Sequence, residues 1–171
     1  FREGRGIYEN IRKFVAYLLS ANAMEVMIIF FSILLGWPLP LLPIHLLWIN
    51  LVTDGLPAVA LGVDPARPNI MTSRPSEFKQ QIVNMAFFKF LAIISGLVTV
   101  AVLVIIGLMK NDPIHEQTMA FTSVVIFEMI IIWAIRAQYR LSFVSNKYLL
   151  MAITGSIVLQ LLVLYLPLQI A

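Results

Sequence analysis

The sequence contains no cysteine and only two histidines among its 171 residues. The absence of cysteine excludes disulfide bonds and thiolate-ligated metal centres. His45 lies in the first turn of an apolar stretch and His115 in a loop, and we interpret both as interfacial or solvated side chains. Zinc and copper, which require such ligands, are therefore not the metals that this sequence predicts.

Charge is also scarce, since only 12% of the residues are charged. The basic residues do not form a stripe with interleaved aromatic residues, so we do not expect nucleic acid as a partner. A glycine-rich phosphate-binding loop is absent, and the chain is not expected to hydrolyse ATP alone. No internal repeat indicates an inverted-repeat transporter. The opening FREGR resembles neither a signal peptide nor a translation start, so we expect a segment of a longer chain.

Apolar residues dominate what is present. They make up 60% of the chain, and the mean hydropathy is +0.91, which is too apolar for a soluble domain. Each apolar stretch has about the 20 residues that a helix needs to cross a bilayer, whereas barrel strands would be shorter and would alternate. The sequence therefore predicts an all-α, polytopic transmembrane helix bundle of about five spans, at residues 14–35, 41–61, 85–109, 118–135 and 149–166.

The basic residues predict how this single transmembrane domain lies in the membrane. Most of them precede the first span or lie between the second and third spans or the fourth and fifth, and Lys110 alone lies in a loop on the other side. By the positive-inside rule, the N-terminus is cytoplasmic and the C-terminus external. Residues 1–13 continue the first helix into the cytoplasm as a stalk, and the lipid bilayer is the expected surrounding.

Three acidic residues, Glu25, Asp54 and Glu128, lie deep within predicted spans, while the other six acids lie in loops or at helix ends. At ~1.5 Å per residue, Glu25 lies ~17 Å, Asp54 ~20 Å and Glu128 ~15 Å from the start of its span. All three therefore lie near the midplane. Inserting a charge at this depth into the bilayer costs at least ~2.5 kcal/mol, so such a residue is usually paired, faces a water-filled cavity or lies on an ion pathway. Without a deep Arg or Lys, their expected partner is a cation, protons, or both.

Further oxygen donors lie beside these acids. Asn22 shares a helix face with Glu25, and Asn50 and Thr53 share one with Asp54. Carboxylate, amide and hydroxyl oxygens are ligands of hard cations, and Ca²⁺ takes ~6 to 8 of them. Gly55 and Pro57 can break the helix, so we expect the second span to be unwound near Asp54-Gly55-Leu56-Pro57. The predicted metal ligands are Asn22, Glu25, Asn50, Thr53, Asp54 and Glu128.

Each of these residues also has a structural interpretation. Asn22 or Thr53 alone is often a hydrogen-bonding contact between helices, and Glu128 could be a protonated acid bonded to a neighbour. At the level of the whole chain, two alternatives to a pump remain open. One is an ion-coupled secondary transporter or channel without ATPase domains, and the other is a non-transporting membrane assembly module.

Two runs resemble a known family. YLLSANAMEV (17–26) and LWINLVTDGLPA (47–58) resemble the fifth and sixth membrane helices of P-type calcium-transporting ATPases, in particular the sarco/endoplasmic-reticulum type. Residues 118–120 and 127–129 resemble the eighth helix, whereas the seventh and ninth are matched by little beyond hydrophobicity. The resemblance covers the region from the fifth to the ninth helix.

The resemblance implies a calcium site formed by Asn22, Glu25, Thr53, Asp54 and Glu128, and a second site that shares Asp54 with Asn50. It implies that Ca²⁺ moves out of the cytoplasm with protons returning. The short loops and the absence of cysteine are compatible with the plasma membrane of a prokaryote, which is the location that we expect. ATP and Mg²⁺ would act only through domains outside this chain. The phosphorylated aspartate, the nucleotide-binding domain and the fourth-helix ligands of the second site are absent from this sequence, so the remaining helices and cytoplasmic domains of the pump are its implied partners.

Overall fold

The computed structural model describes residues 2–67, 70–71, 84–108 and 113–165, and all regular structure in these ranges is helical. Its elements in chain order are α1 (Arg2–Leu34), α2 (Pro43–Trp48), a π-helical segment (Ile49–Thr53), α3 (Gly55–Gly62), α4 (Met85–Leu108), α5 (Pro113–Gln138) and α6 (Lys147–Tyr165). Because α2, the π-helical segment and α3 follow one another closely, they form one span. Five helical stretches of the described chain are long and apolar enough to cross a membrane, which confirms the predicted all-α bundle.

Helix α1 lies at the centre of the bundle and packs against α3, α4 and α5. It contributes fully buried side chains, including Tyr17, Met24 and Ile28. Helix α6 packs mainly against α3, so the second span is held between α1 and α6. This arrangement brings α1, the second span and α5 together, and these are the elements that carry the three deep acids.

The outer faces of the helices are apolar as well. Leu97 of α4, Ile130 of α5 and Met151 of α6 are all more than half exposed. An exposed apolar surface of this extent would be costly in water but suits contact with lipid tails. The distribution of these side chains thus agrees with a membrane location for the bundle.

The second span departs from α-helical geometry directly before Asp54. The amide of Asp54 donates to the carbonyl of Ile49, five residues earlier, at 2.8 Å. Pro57 lacks the N–H that would bond to the Thr53 carbonyl in a continuous α-helix, so the ladder must change there. Helix α3 then begins at Gly55 with Pro57 in its first turn, where proline is tolerated. The predicted irregularity is therefore a π-helical segment and not an open chain.

Two expectations about individual parts of the chain have different outcomes. His45 is buried, stacks on Phe121 at a ring-centroid distance of 4.7 Å and accepts the Leu42 N–H through Nδ1, so it is not a solvated side chain, whereas its place near the membrane interface stays a prediction. Periodicity near a helix start could not reveal that α5 covers this ring. Most of the predicted cytoplasmic connector after α3 and the loop containing Lys110 lie outside the described residues.

Candidate cation-binding site

The three deep acids come together inside the bundle. One carboxylate oxygen from each of Glu25, Asp54 and Glu128 lies within 4.8 Å of the others. Asp54 and Glu128 are fully buried, and Glu25 is only 4% exposed. Because the acids come from α1, the second span and α5, the site depends on the packing of three separate elements.

Two of the predicted oxygen donors contact this cluster. The Thr53 hydroxyl lies 3.3 Å from Glu128 Oε2 and also donates to the carbonyl of Ile49. The Asn50 side-chain amide donates to both oxygens of Glu25, at 3.2 and 3.0 Å. Thr53 already presents an oxygen to the cluster, whereas Asn50 presents its nitrogen. Asn50 could bind a cation only if its amide turned and released Glu25.

Asn22 has different surroundings. Its side chain is exposed, and its amide donates to the carbonyl of Leu18 one turn earlier in α1, at 2.8 Å. The structure does not bring Asn22 into contact with the three acids, although it lies on the same helix as Glu25. Its assignment as a ligand stays a prediction.

Tyr17 joins the cluster without having been predicted. Its hydroxyl donates to Asp54 Oδ1 at 2.6 Å, and the side chain is completely buried. A tyrosine about two turns before Glu25 on α1 is a signal that sequence reasoning could have used. The sequence could not show, however, that this hydroxyl meets the second span and not lipid.

The electrostatics of the cluster favour a bound cation. Asp54 Oδ2 and Glu128 Oε1 are buried without a hydrogen-bond donor among the described residues. The two buried basic side chains in the same ranges, Lys13 and Arg136, bind Asp64 instead. Buried carboxylates normally have partners, and oxygen atoms at this spacing can share a hard cation. The arrangement suits a positive ion, and no basic side chain of the described residues takes that place.

Comparison with known families agrees with this geometry. The sequence model described as "Cation transporting ATPase, C-terminus" matches residues 38–171, which is most of the chain. The chain belongs to this family. It is accordingly a multi-pass membrane protein region. Four of the six residues of the cluster lie in the matched part, Asn50, Thr53, Asp54 and Glu128, whereas Tyr17 and Glu25 on α1 precede it.

Individual relatives of this cation-transporting ATPase region are bacterial. A calcium-transporting ATPase of Bacillus subtilis is 38% identical over 97% of this chain, and calcium-transporting ATPase 1 of Bacillus cereus is 33% identical over 96%. A calcium-transporting ATPase 1 of Lactococcus lactis is 34% identical over 88% of the chain. The chain spans about a fifth of the length of these relatives, namely 19%, 21% and 18%.

A second polar cluster of this ATPase region surrounds Asp64. Asp64 had been grouped with the loop and helix-end acids, but its side chain is fully buried and binds Lys13 Nζ at 2.5 Å. Arg136 contacts both Asp64 carboxylate oxygens, at 3.1 and 3.2 Å. Asp64 follows the end of α3, as its place among the loop and helix-end acids predicts, but the sequence alone does not place Lys13 and Arg136 beside it. The buried charges at this end are therefore paired.

Proposed function

We propose that this chain is the ion-binding transmembrane part of an ATP-driven calcium pump that moves Ca²⁺ out of the cytoplasm. The observation that carries the proposal is the meeting of three carboxylates from three helices within 4.8 Å, at a site without a basic partner among the described residues. Such a cluster suits a divalent cation with oxygen ligands better than a neutral or anionic substrate. The names of the three bacterial relatives favour calcium as that cation.

The resemblance to the sarco/endoplasmic-reticulum type supports a finer assignment. Glu25, Thr53, Asp54 and Glu128 would hold one ion, together with Asn22. Asn50 and Asp54 would hold part of a second site, whose other ligands come from a helix outside this chain. Asn22 and Asn50 are both exposed, which leaves them accessible to such a helix.

Transport requires that the cluster release its ion on the other side of the membrane. In the proposed cycle, phosphorylation of a domain outside this chain moves the cytoplasmic part of α1 and shifts Glu25 relative to Asp54. Separating the ligands lowers the affinity for calcium because the ion needs all of them at once. After release, three carboxylates this close cannot remain together as anions in a water-poor site, so protons replace calcium and return to the cytoplasm.

The bacterial relatives also suggest where the protein works. We place it in the plasma membrane of a prokaryote, with the N-terminus of this chain in the cytoplasm and its C-terminus outside. ATP and Mg²⁺ would bind to the cytoplasmic domains, since phosphoryl transfer needs positioned phosphates and a nucleophile that these 171 residues do not contain.

Replacing Asp54 with Asn in the full-length protein tests the proposal. The substitution keeps the shape of the side chain but removes the charge next to Tyr17, Glu25 and Glu128. We expect the apparent calcium affinity, measured from calcium-dependent phosphorylation by ATP, to fall by at least about a hundredfold, which is equivalent to about 2.8 kcal/mol. Glu3→Gln, which neutralises an exposed acid at the start of α1, should leave the affinity unchanged.

The outcomes separate the competing functions. Undiminished calcium-dependent phosphorylation of Asp54→Asn would contradict the assignment of the site. Calcium movement across proteoliposomes without ATP would instead indicate a secondary transporter or channel. Failure of the wild-type protein to bind calcium at any pH would favour an assembly module.

A further inference from the structure

Asp64 is the centre of a buried ionic cluster at the cytoplasmic end of the bundle, which we name the Asp64 lock. Its carboxylate accepts hydrogen bonds from Lys13, Arg136 and Asn146, at 2.5 Å, 3.2 Å and 3.0 Å. Lys13, Arg136 and Asn146 are at most 3% exposed, and Asp64 is 4% exposed. Charges buried to this degree are held in defined positions because any displacement leaves one of them unpaired.

The members of the lock lie on the elements that carry the cation cluster. Lys13 is on α1 with Glu25, Arg136 is on α5 with Glu128, and Asp64 follows α3 in the span that contains Asp54. At ~1.5 Å per residue, Lys13 lies ~18 Å from Glu25 along α1, and Arg136 ~12 Å from Glu128 along α5. Each deep acid thus has a charged counterpart of the lock on its own span.

We propose that Asp64 is a positioning residue that fixes the spacing of the three acid-bearing spans. It does so by binding Lys13 of α1 and Arg136 of α5. The proposal rests on the proposed calcium function for its effect on affinity. Asn146 strengthens the arrangement because it also caps α6 by accepting the Leu149 N–H at 3.0 Å. The lock therefore joins four elements through one carboxylate.

The charges of the lock allow the ionic contact of α1 to be removed without leaving another buried charge unpaired. Lys13 and Arg136 both bind the carboxylate of Asp64, and the charge of Glu9 also acts on Lys13. Removing Lys13 leaves a neutral Asp64–Arg136 pair. Asn10 of α1 still donates to the Asp64 carbonyl oxygen at 2.8 Å, so the elements stay attached. Removing Asp64 instead leaves two buried cations without the carboxylate that both of them contact, which is strongly unfavourable.

The first test compares Lys13→Met with Lys89→Met, which removes an exposed lysine from α4. In the full-length protein, Lys13→Met should raise the calcium concentration for half-maximal binding by about three- to thirtyfold, the range for residues that couple distant sites. Lys89→Met should change it by less than about twofold. An unchanged affinity of Lys13→Met would overturn the proposal.

The second test uses the sign of the Lys13 effect. In an Asp64→Asn background, Lys13→Met removes an unpaired buried cation, so it should strengthen calcium binding or restore folded protein, the opposite of its effect in the wild type. A residue that only fills space would have the same effect in both backgrounds. Equal effects in the two backgrounds, or a double variant that neither binds calcium more strongly nor yields more folded protein than Asp64→Asn alone, would overturn the lock.

A distance measurement tests the lock without calcium. Spin labels at positions 11 and 138, both exposed, report on α1 and α5 in a background free of other reactive cysteines. Lys13→Met should broaden or shift the distance distribution, whereas Lys89→Met should not. A shift in a protein that binds no calcium would retain the lock and reject the proposed function. An unchanged distribution would reject the lock even if calcium binds normally.

Discussion

The two carboxylate oxygens of Asp54 have different surroundings. Oδ1 accepts the Tyr17 hydroxyl at 2.6 Å, whereas Oδ2 has no donor among the described residues. The first contact fixes the rotation of the carboxylate, and the second oxygen stays available for a cation. Tyr17 therefore acts through Asp54: it orients a charged ligand that a neutral hydroxyl cannot replace.

Replacing Tyr17 with Phe tests this orientation. The ring and its packing remain, but the hydrogen bond to a charged group is lost, which typically contributes about 1.5 kcal/mol or more. We expect calcium affinity to fall by about tenfold, measured by equilibrium binding of radioactive calcium to the full-length protein. Tyr148→Phe removes a hydroxyl from an exposed tyrosine and should have no effect. Equal affinities in the two variants would show that Tyr17 does not position Asp54.

Depth along a span was the informative signal for single residues. It singled out Glu25, Asp54 and Glu128, whose oxygens lie together in the structure. It gave no information on the burial of Asp64, because the covering side chains of Lys13 and Arg136 come from distant parts of the sequence. Residue depth can be counted from a sequence, but the neighbours across a helix interface cannot.

At the scale of elements, the π-helical segment explains how Asp54 reaches the cluster. A π-helical turn contains more residues than an α-helical turn, so it rotates the chain that follows, and such segments are often found at functional sites. From the sequence, Gly55 and Pro57 together were expected to break the helix. The structure supports a role for Pro57, whereas a Cβ added at Gly55 would meet its nearest atom, the Asn50 carbonyl oxygen, at an ordinary 3.6 Å.

We therefore expect different outcomes when Pro57 and Gly55 are each replaced with alanine. Pro57→Ala supplies the missing N–H, favours a continuous α-helix and should rotate Asp54 away from Glu128, which lowers calcium affinity by about tenfold. Gly55→Ala should keep the affinity within about twofold and slightly favour the helix. The measurement is calcium-dependent phosphorylation of the full-length protein. Loss of affinity in Gly55→Ala, or none in Pro57→Ala, would contradict this account of the π-helical segment.

At the scale of the whole molecule, helix number and order followed from composition, but helix neighbours did not. Apolar length predicts spans because a bilayer has a fixed thickness. It does not show that α1 is central, since Tyr17 and Met24 are no more apolar than the exposed Val26 or Phe30 of the same helix. In lipid, both faces of a helix are hydrophobic, so the alternation that identifies a core in a soluble protein is weak.

Because the cation cluster draws on three spans, calcium should stabilise the bundle as a whole. At a calcium concentration a hundredfold above its dissociation constant, binding adds about 2.7 kcal/mol to the stability of the folded protein. We expect the solubilised full-length protein to survive heating to higher temperatures in calcium than in a calcium chelator, measured as the fraction that remains monodisperse. Magnesium should not substitute, since it demands shorter distances and retains its waters.

Glu128→Gln should remove most of the stabilisation by calcium. Without calcium, the variant should be at least as stable as the wild type, because it removes one of three neighbouring negative charges. With calcium, it should gain little, because a fully buried ligand from α5 has been neutralised. Glu3→Gln should behave like the wild type in both conditions. If Glu128→Gln gained as much stability from calcium as the wild type, the ion would not bind among the three spans, and the stabilisation would have to come from another part of the protein.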